Sequence, residues 1–165
     1  MTNQSIFVVE DDALIALRNY ELLTKSGYEV PQMFASGEDL LNHLEISDPP
    51  DLILMDIGLS GKIDGIETAR QIRERYIIPV IFLTAYIDDQ RMVLAKEISP
   101  YGYIVKPVVE RELIEMIGTA LRRRNRVGTA ADSSGCTVAL AVVLNILTRL
   151  NISQQQLTQQ HPLHY

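Results

Sequence analysis

Glu10, Asp11 and Asp12 follow directly on the short apolar run 6–9. Asp56 closes a second such run at 52–55, Thr84 a third at 80–83, and Lys106, with Pro107 behind it, a fourth at 103–105. If these runs are strands of one parallel sheet, their carboxyl ends share an edge, and that edge is where such sheets bind ligands. Glu10, Asp11 and Asp56 would then bring three carboxylates together with one hydroxyl and one ammonium. Carboxylates packed against one another resist ionisation unless something compensates them. A hard divalent cation does so: Mg2+ takes oxygen ligands, uses one or two carboxylates, keeps several waters and bridges to phosphate. A carboxylate beside such an ion can attack phosphorus and become an acyl phosphate. Lys106 would supply a point charge to the phosphoryl oxygens, Thr84 a hydroxyl and the backbone near Ala85 further N–H donors. Little more is needed, because phosphoryl transfer rests on positioning and charge stabilisation.

The elements that must position these groups are legible as alternation. Apolar runs of four to six residues at 6–9, 30–35 (imperfect), 52–55, 80–83 and 103–105 suit strands buried on both faces. Segments of helical length lie between or after them at 13–26, 36–46, 65–76, 88–98 and 110–124. Five strands alternating with five helices predict a doubly wound α/β domain with helices on both faces of a parallel sheet. Asp64-Gly65-Ile66-Glu67 reads as a capping box, and Ser36 with Asp39 as a weaker one. Asp88 or Asp89 could cap the fourth helix. In the fifth, Leu113, Ile117, Ala120 and Leu121 make one apolar face, and Arg122, Arg123 and Arg124 suit a helix C-terminus. The first helical segment has no single stripe, and Gly27 closes it.

The chain has 165 residues and a formal net charge of −6, with 47% hydrophobic and 22% charged residues. These values fit one globular domain with an appendage and disfavour generic nucleic-acid binding, since an acidic surface repels phosphate backbones. One cysteine, Cys136, forms neither an internal disulfide nor a cysteine-rich metal site. No run reaches the ~20 apolar residues of a spanning helix, and the start lacks a targeting pattern, so a cytoplasmic protein without membrane insertion is expected. The composition changes after residue 126. A small, polar stretch at 128–135 reads as a linker, followed by an apolar run at 138–150 and a glutamine-rich tail. The expected organisation is a domain at 4–126 and a tail of unknown role at 127–165.

Val9-Glu10-Asp11-Asp12, Leu54-Met55-Asp56, Phe82-Leu83-Thr84-Ala85 and Tyr103-Ile104-Val105-Lys106-Pro107 together resemble the receiver domain of two-component response regulators, over roughly residues 4–124. The resemblance implies a flavodoxin-like sheet of order 2-1-3-4-5 with five helices. It also implies phosphorelay signalling rather than enzymatic turnover. Asp56 would accept the phosphoryl group from a sensor histidine kinase or a phosphotransfer protein. Asp11 and Asp56 would ligate Mg2+, with Glu10 acting through water and Gly58 through its backbone carbonyl. Thr84 and Lys106 would bind the phosphoryl oxygens, and Lys106 would pair with Asp56 at rest. Tyr103 would rotate inward when Thr84 moves, and the Lys106–Pro107 bond would be cis. The surface of residues 88–124 would be read by a downstream protein target, with homodimerisation through the same residues as a further option.

The sequence departs from the family in the loop after Asp56, where Ser60 stands near the usual proline and one residue is added. It also departs in its tail, which matches no output domain. Taken singly, each site residue has a plainer reading: Asp12 as a helix cap, Thr84 as a strand former, Lys106 as a solvated cation. Two other functions compete with the receiver. A docking module that works without phosphorylation would show a broken acid cluster or a missing lysine. An Mg2+-dependent phosphatase with an aspartate nucleophile would need a second acid two positions on, where Gly58 stands.

Overall fold

The computed structural model describes residues 4–85 and 98–132, with side chains described as far as residue 124. Five parallel strands form one sheet: β1 (Ile6–Val9), β2 (Met33–Phe34), β3 (Leu52–Asp56), β4 (Val80–Thr84) and β5 (Gly102–Val105). Their order across the sheet is β2-β1-β3-β4-β5. Four helices are described: α1 (Ala13–Lys25), α2 (Gly37–Leu44), α3 (Gly65–Arg75) and α4 (Glu110–Asp132). The helix expected at 88–98, with its caps, lies outside the described residues apart from Ile98.

The continuous apolar runs follow from burial on both sides. Successive strand residues point to opposite faces. Phe7, Val9, Ile53, Met55, Val80 and Phe82 pack with α2 and α3. Ile6, Val8, Leu52, Leu54, Ile81 and Leu83 pack with Leu23 of α1 and with α4. Apolar residues at every position therefore serve two cores, and the central strands form a platform whose carboxyl edge holds the candidate site residues.

Several details differ from the sequence reading. β2 has only two residues because Pro31 lacks an N–H and interrupts the run. Asp64 caps α3 by accepting from the Glu67 N–H at 2.8 Å. The Glu67 carboxylate does not complete the box; it binds Arg70 and Gln71 instead. The buried stripe of α1 is Ala16, Asn19 and Leu23, hidden from pattern reading by a polar member, while Leu14 and Leu17 face solvent. α4 continues through Gly128 to Asp132, so the tail expected from 127, with its linker at 128–135, begins with helical backbone. Arginine and alanine favour helix strongly enough to carry it past one glycine. Consequently Arg122, Arg123 and Arg124 do not end the helix: Arg122 donates to Thr119, and Arg123 lies over the Tyr101 ring. Among the described residues, all five strands fall within the compact unit Met1–Arg123. No helix among the described residues is long and apolar enough to cross a membrane.

Candidate functional site

Each site residue stands at the carboxyl end of a strand or just beyond it. Glu10 follows β1 and its N–H donates to the Phe34 carbonyl at 2.9 Å, so it is fixed by strand pairing. Asp56 and Thr84 are the last residues of β3 and β4. Lys106 follows β5, and its N–H donates to the Thr84 carbonyl at 2.7 Å. The Lys106–Pro107 peptide is cis. Asp12 caps α1, accepting from the Leu14 and Ile15 N–H groups, and so takes the plainer role weighed for it.

Carboxylate oxygens of Glu10, Asp11 and Asp56 all lie within 4.8 Å of one another. The Glu10 side chain is 1% exposed and that of Asp56 9%, whereas Asp11 faces solvent. Lys106 Nζ lies 2.7 Å from Glu10 Oε2 and 3.2 Å from Asp56 Oδ1. The resting pair expected between Lys106 and Asp56 is therefore shared, with Glu10 the nearer partner. Burial and the charge of Asp56 hold the Glu10 carboxyl above the ordinary carboxylate range, against the pull of Lys106. Burial alone would lower the Lys106 ammonium. Its bond to Glu10 and the two nearby negative charges outweigh that and leave it raised. Among the described residues, one cation thus faces three acids. An all-oxygen donor set with excess negative charge fits Mg2+.

Gly58 lies beside Asp56: a Cβ placed on it would sit 3.6 Å from Asp56 Oδ2. Tyr103 stacks on Phe82 with ring centroids 5.8 Å apart. Its hydroxyl is already enclosed and has no partner among the described residues, and burial pushes the phenol up. Gly65 brings the first turn of α3 against the Asp56 backbone carbonyl, where any Cβ would overlap the oxygen. Gly65→Ala is therefore expected to destabilise the fold by about 1–3 kcal/mol, the usual cost of overpacking, and to displace Asp56. Denaturant unfolding measures the first effect, and a slowed uptake of phosphoryl groups reports the second.

Sequence reasoning missed three features of this edge. The Ser60 hydroxyl donates to Asp11 Oδ2. Glu38 of α2 accepts from the Lys62 and Ile63 N–H groups at 2.5 and 3.1 Å. Arg73 of α3 donates to the Ile98 carbonyl, where the chain returns towards β5. None has a short-range motif, because each pair is separated by 24 residues or more.

The sequence matches the response regulator receiver domain family over residues 6–118. It is 41% identical over 134 residues to the transcriptional regulatory protein AfsQ1 of Streptomyces coelicolor, covering 81% of this chain and 58% of that one. The chain thus spans under two thirds of that relative's length. A solved N-terminal domain of a three-domain response regulator, sensory box and GGDEF protein from Carboxydothermus hydrogenoformans is 34% identical, with a TM-score of 0.69. That match covers 74% of this chain and 98% of that one. A CheY-like receiver protein from Methanospirillum hungatei is 28% identical with a TM-score of 0.69, covering 76% and 98% respectively. With four motifs at four adjacent strand ends and a sheet in the family's order, the chain belongs to the response regulator receiver domain family of two-component signal transduction.

Proposed function

We propose that this domain, residues 4–126, is a phosphoacceptor switch of the cytoplasm rather than an enzyme with turnover. Asp56 takes a phosphoryl group from the phosphohistidine of a sensor kinase or phosphotransfer protein. An Asp56 carboxylate oxygen bonds to phosphorus as the phosphorus–nitrogen bond breaks and the imidazole leaves. The observation that carries this reading is the meeting of three carboxylates with Lys106 bridging Glu10 and Asp56. Asp11, Asp56 and the Gly58 carbonyl would hold Mg2+ directly, and Glu10 through water. When bound, the ion supplies positive charge to the acids and to the transferred group.

The chain's own residues do the rest. Lys106 is held close to Asp56 and can move its ammonium to the incoming oxygens. Thr84 shares a backbone hydrogen bond with Lys106, so a shift at one is felt at the other. The Tyr103 hydroxyl, without a partner among the described residues, can gain one if Thr84 moves. The change is read on the surface of residues 88–124, where Val105 and Val109 are exposed apolar side chains. The partner there is a protein target or a second copy of the chain. The phosphatase reading is disfavoured because Gly58 offers no acid to protonate a leaving group.

Incubation with a small-molecule phosphodonor, followed by intact mass measurement, tests the proposal. Labelling is expected in Mg2+ and not in a chelator. Asp11→Ala is expected to slow it by roughly a hundredfold, equivalent to about 3 kcal/mol of charge stabilisation. Labelling of Asp11→Ala at the wild-type rate in Mg2+ would overturn the metal assignment.

A further inference from the structure

The acid cluster is not held uniformly. Glu10 and Asp56 are buried and share Lys106, whereas Asp11 is exposed and, among the described residues, its one side-chain partner is Ser60. Ser60 lies in the loop from Ile57 to Asp64, between β3 and α3. That loop is fastened to α2 by the Glu38 carboxylate, whose Oε1 accepts two successive backbone N–H groups, Lys62 and Ile63. Gly61 permits the fastening: a Cβ there would sit 2.5 Å from Glu38 Oε2. Glu38 remains ionised at neutral pH, because hydrogen bonds from its own amide and from Lys62 and Ile63 hold its carboxyl below the ordinary range. Such charge-assisted bonds are stronger than neutral ones.

We propose that Ser60 is a positioning residue for Mg2+ binding, set in place by Glu38: Glu38 holds the loop, the loop holds the Ser60 hydroxyl, and the hydroxyl orients Asp11. The inference rests on the phosphoacceptor reading of the site and deepens it. A carboxylate has two oxygens and about four acceptor positions, so Ser60 on Oδ2 leaves Oδ1 for the ion. An exposed aspartate without that bond would have to be ordered when the ion arrives, at a cost in side-chain entropy. Partners behind metal ligands commonly contribute 10–100-fold in affinity. The loop from Ile57 to Asp64 is thereby tied to the acid of the cluster most open to solvent.

Calorimetric titration of the full chain with Mg2+ tests the inference. Ser60→Ala is expected to bind Mg2+ about tenfold more weakly, and Ser60→Thr, which keeps the hydroxyl, to stay within about threefold of wild type. Glu38→Ala is expected to weaken binding in the same direction although it touches neither the ion nor Asp11. Glu38→Gln, which loses the charge but keeps an acceptor oxygen, should weaken it less. The double variant Ser60→Ala with Glu38→Ala should be no weaker than the worse single, because both changes break one chain of contacts. Unfolding temperatures without Mg2+ identify any variant that has lost the fold. If Ser60→Ala binds as wild type or more tightly while Asp11→Ala loses binding, the positioning role is wrong and the metal site stands. If Asp11→Ala also binds as wild type, both fall. Additive losses in the double variant would overturn the link through Glu38.

Discussion

Asp56→Asn is expected to take up no phosphoryl group from a small-molecule donor in Mg2+, while the wild type gains one by intact mass. The substitution keeps the shape of the side chain and removes the nucleophilic carboxylate, so the loss is complete rather than graded. The neighbouring acids cannot substitute for it. Glu10 is 1% exposed with one oxygen taken by Lys106, and Asp12 has its carboxylate committed to the first turn of α1. Asp11 is open to solvent, but its carboxylate accepts from Ser60 and is proposed to hold the ion. The variant should fold at least as well as wild type without metal, because the Asp56 charge is among the causes that raise the Glu10 carboxyl. Removing it relieves a buried like-charge contact. A full mass gain in Asp56→Asn would move the acceptor to another residue. A missing gain in the wild type, with Mg2+ binding intact, would instead favour a docking module.

The fold was legible because its sheet is buried on both faces. Runs such as 52–55 and 80–83 have no polar residue to confuse them, and the acidic or hydroxyl residue that ends each run marks the strand's carboxyl edge. Legibility fell where a local rule met tertiary context. Pro31 shortened β2 to two residues, and Asn19 occupied a buried position that a polarity pattern assigns to solvent. The arginines at 122–124 looked like a helix end because they suit the dipole, yet the backbone remains helical to Asp132. For the candidate site, the residue types gathered at the sheet edge were readable from strand ends alone. The partition of Lys106 between Glu10 and Asp56 was not, since it depends on side-chain distances of a few tenths of an ångström. The hold of Glu38 on the loop was equally out of reach. It joins an ordinary helix-surface residue to two backbone N–H groups, and backbone groups carry no sequence signal.

Lys106→Ala should lose both the switch and part of the fold's stability. From sequence, a lysine at the sheet's edge can be removed with the fold intact, because a surface cation is solvated and weakly coupled. The structure places Lys106 on a glutamate that is almost wholly buried, and its own side chain is 15% exposed. Removing one partner of a buried pair leaves an uncompensated charge, which costs about 3 kcal/mol. The cost should depend on pH in a definite direction. Without Lys106, the folded-state carboxyl of Glu10 rises further above its unfolded value, since two of the effects that lower it are gone. A carboxyl raised in the folded state loses stability as pH climbs from the unfolded pKa through the folded one. The gap between wild type and Lys106→Ala in urea unfolding should therefore be larger at pH 8 than at pH 5. Mg2+ should narrow it at pH 8 by supplying the missing positive charge. Adding Glu10→Gln to Lys106→Ala should recover part of the loss, because the more deeply buried of the two acids then carries no charge and only Asp56 is left without the lysine. Phosphorylation of Lys106→Ala at Asp56 should leave amide exchange in residues 98–106 unchanged, where the wild type shifts. Equal stability of the variant at both pH values would show that water reaches Glu10 and that the pair does not hold the fold. A full exchange response on phosphorylation would remove Lys106 from the path between Asp56 and the surface that is read.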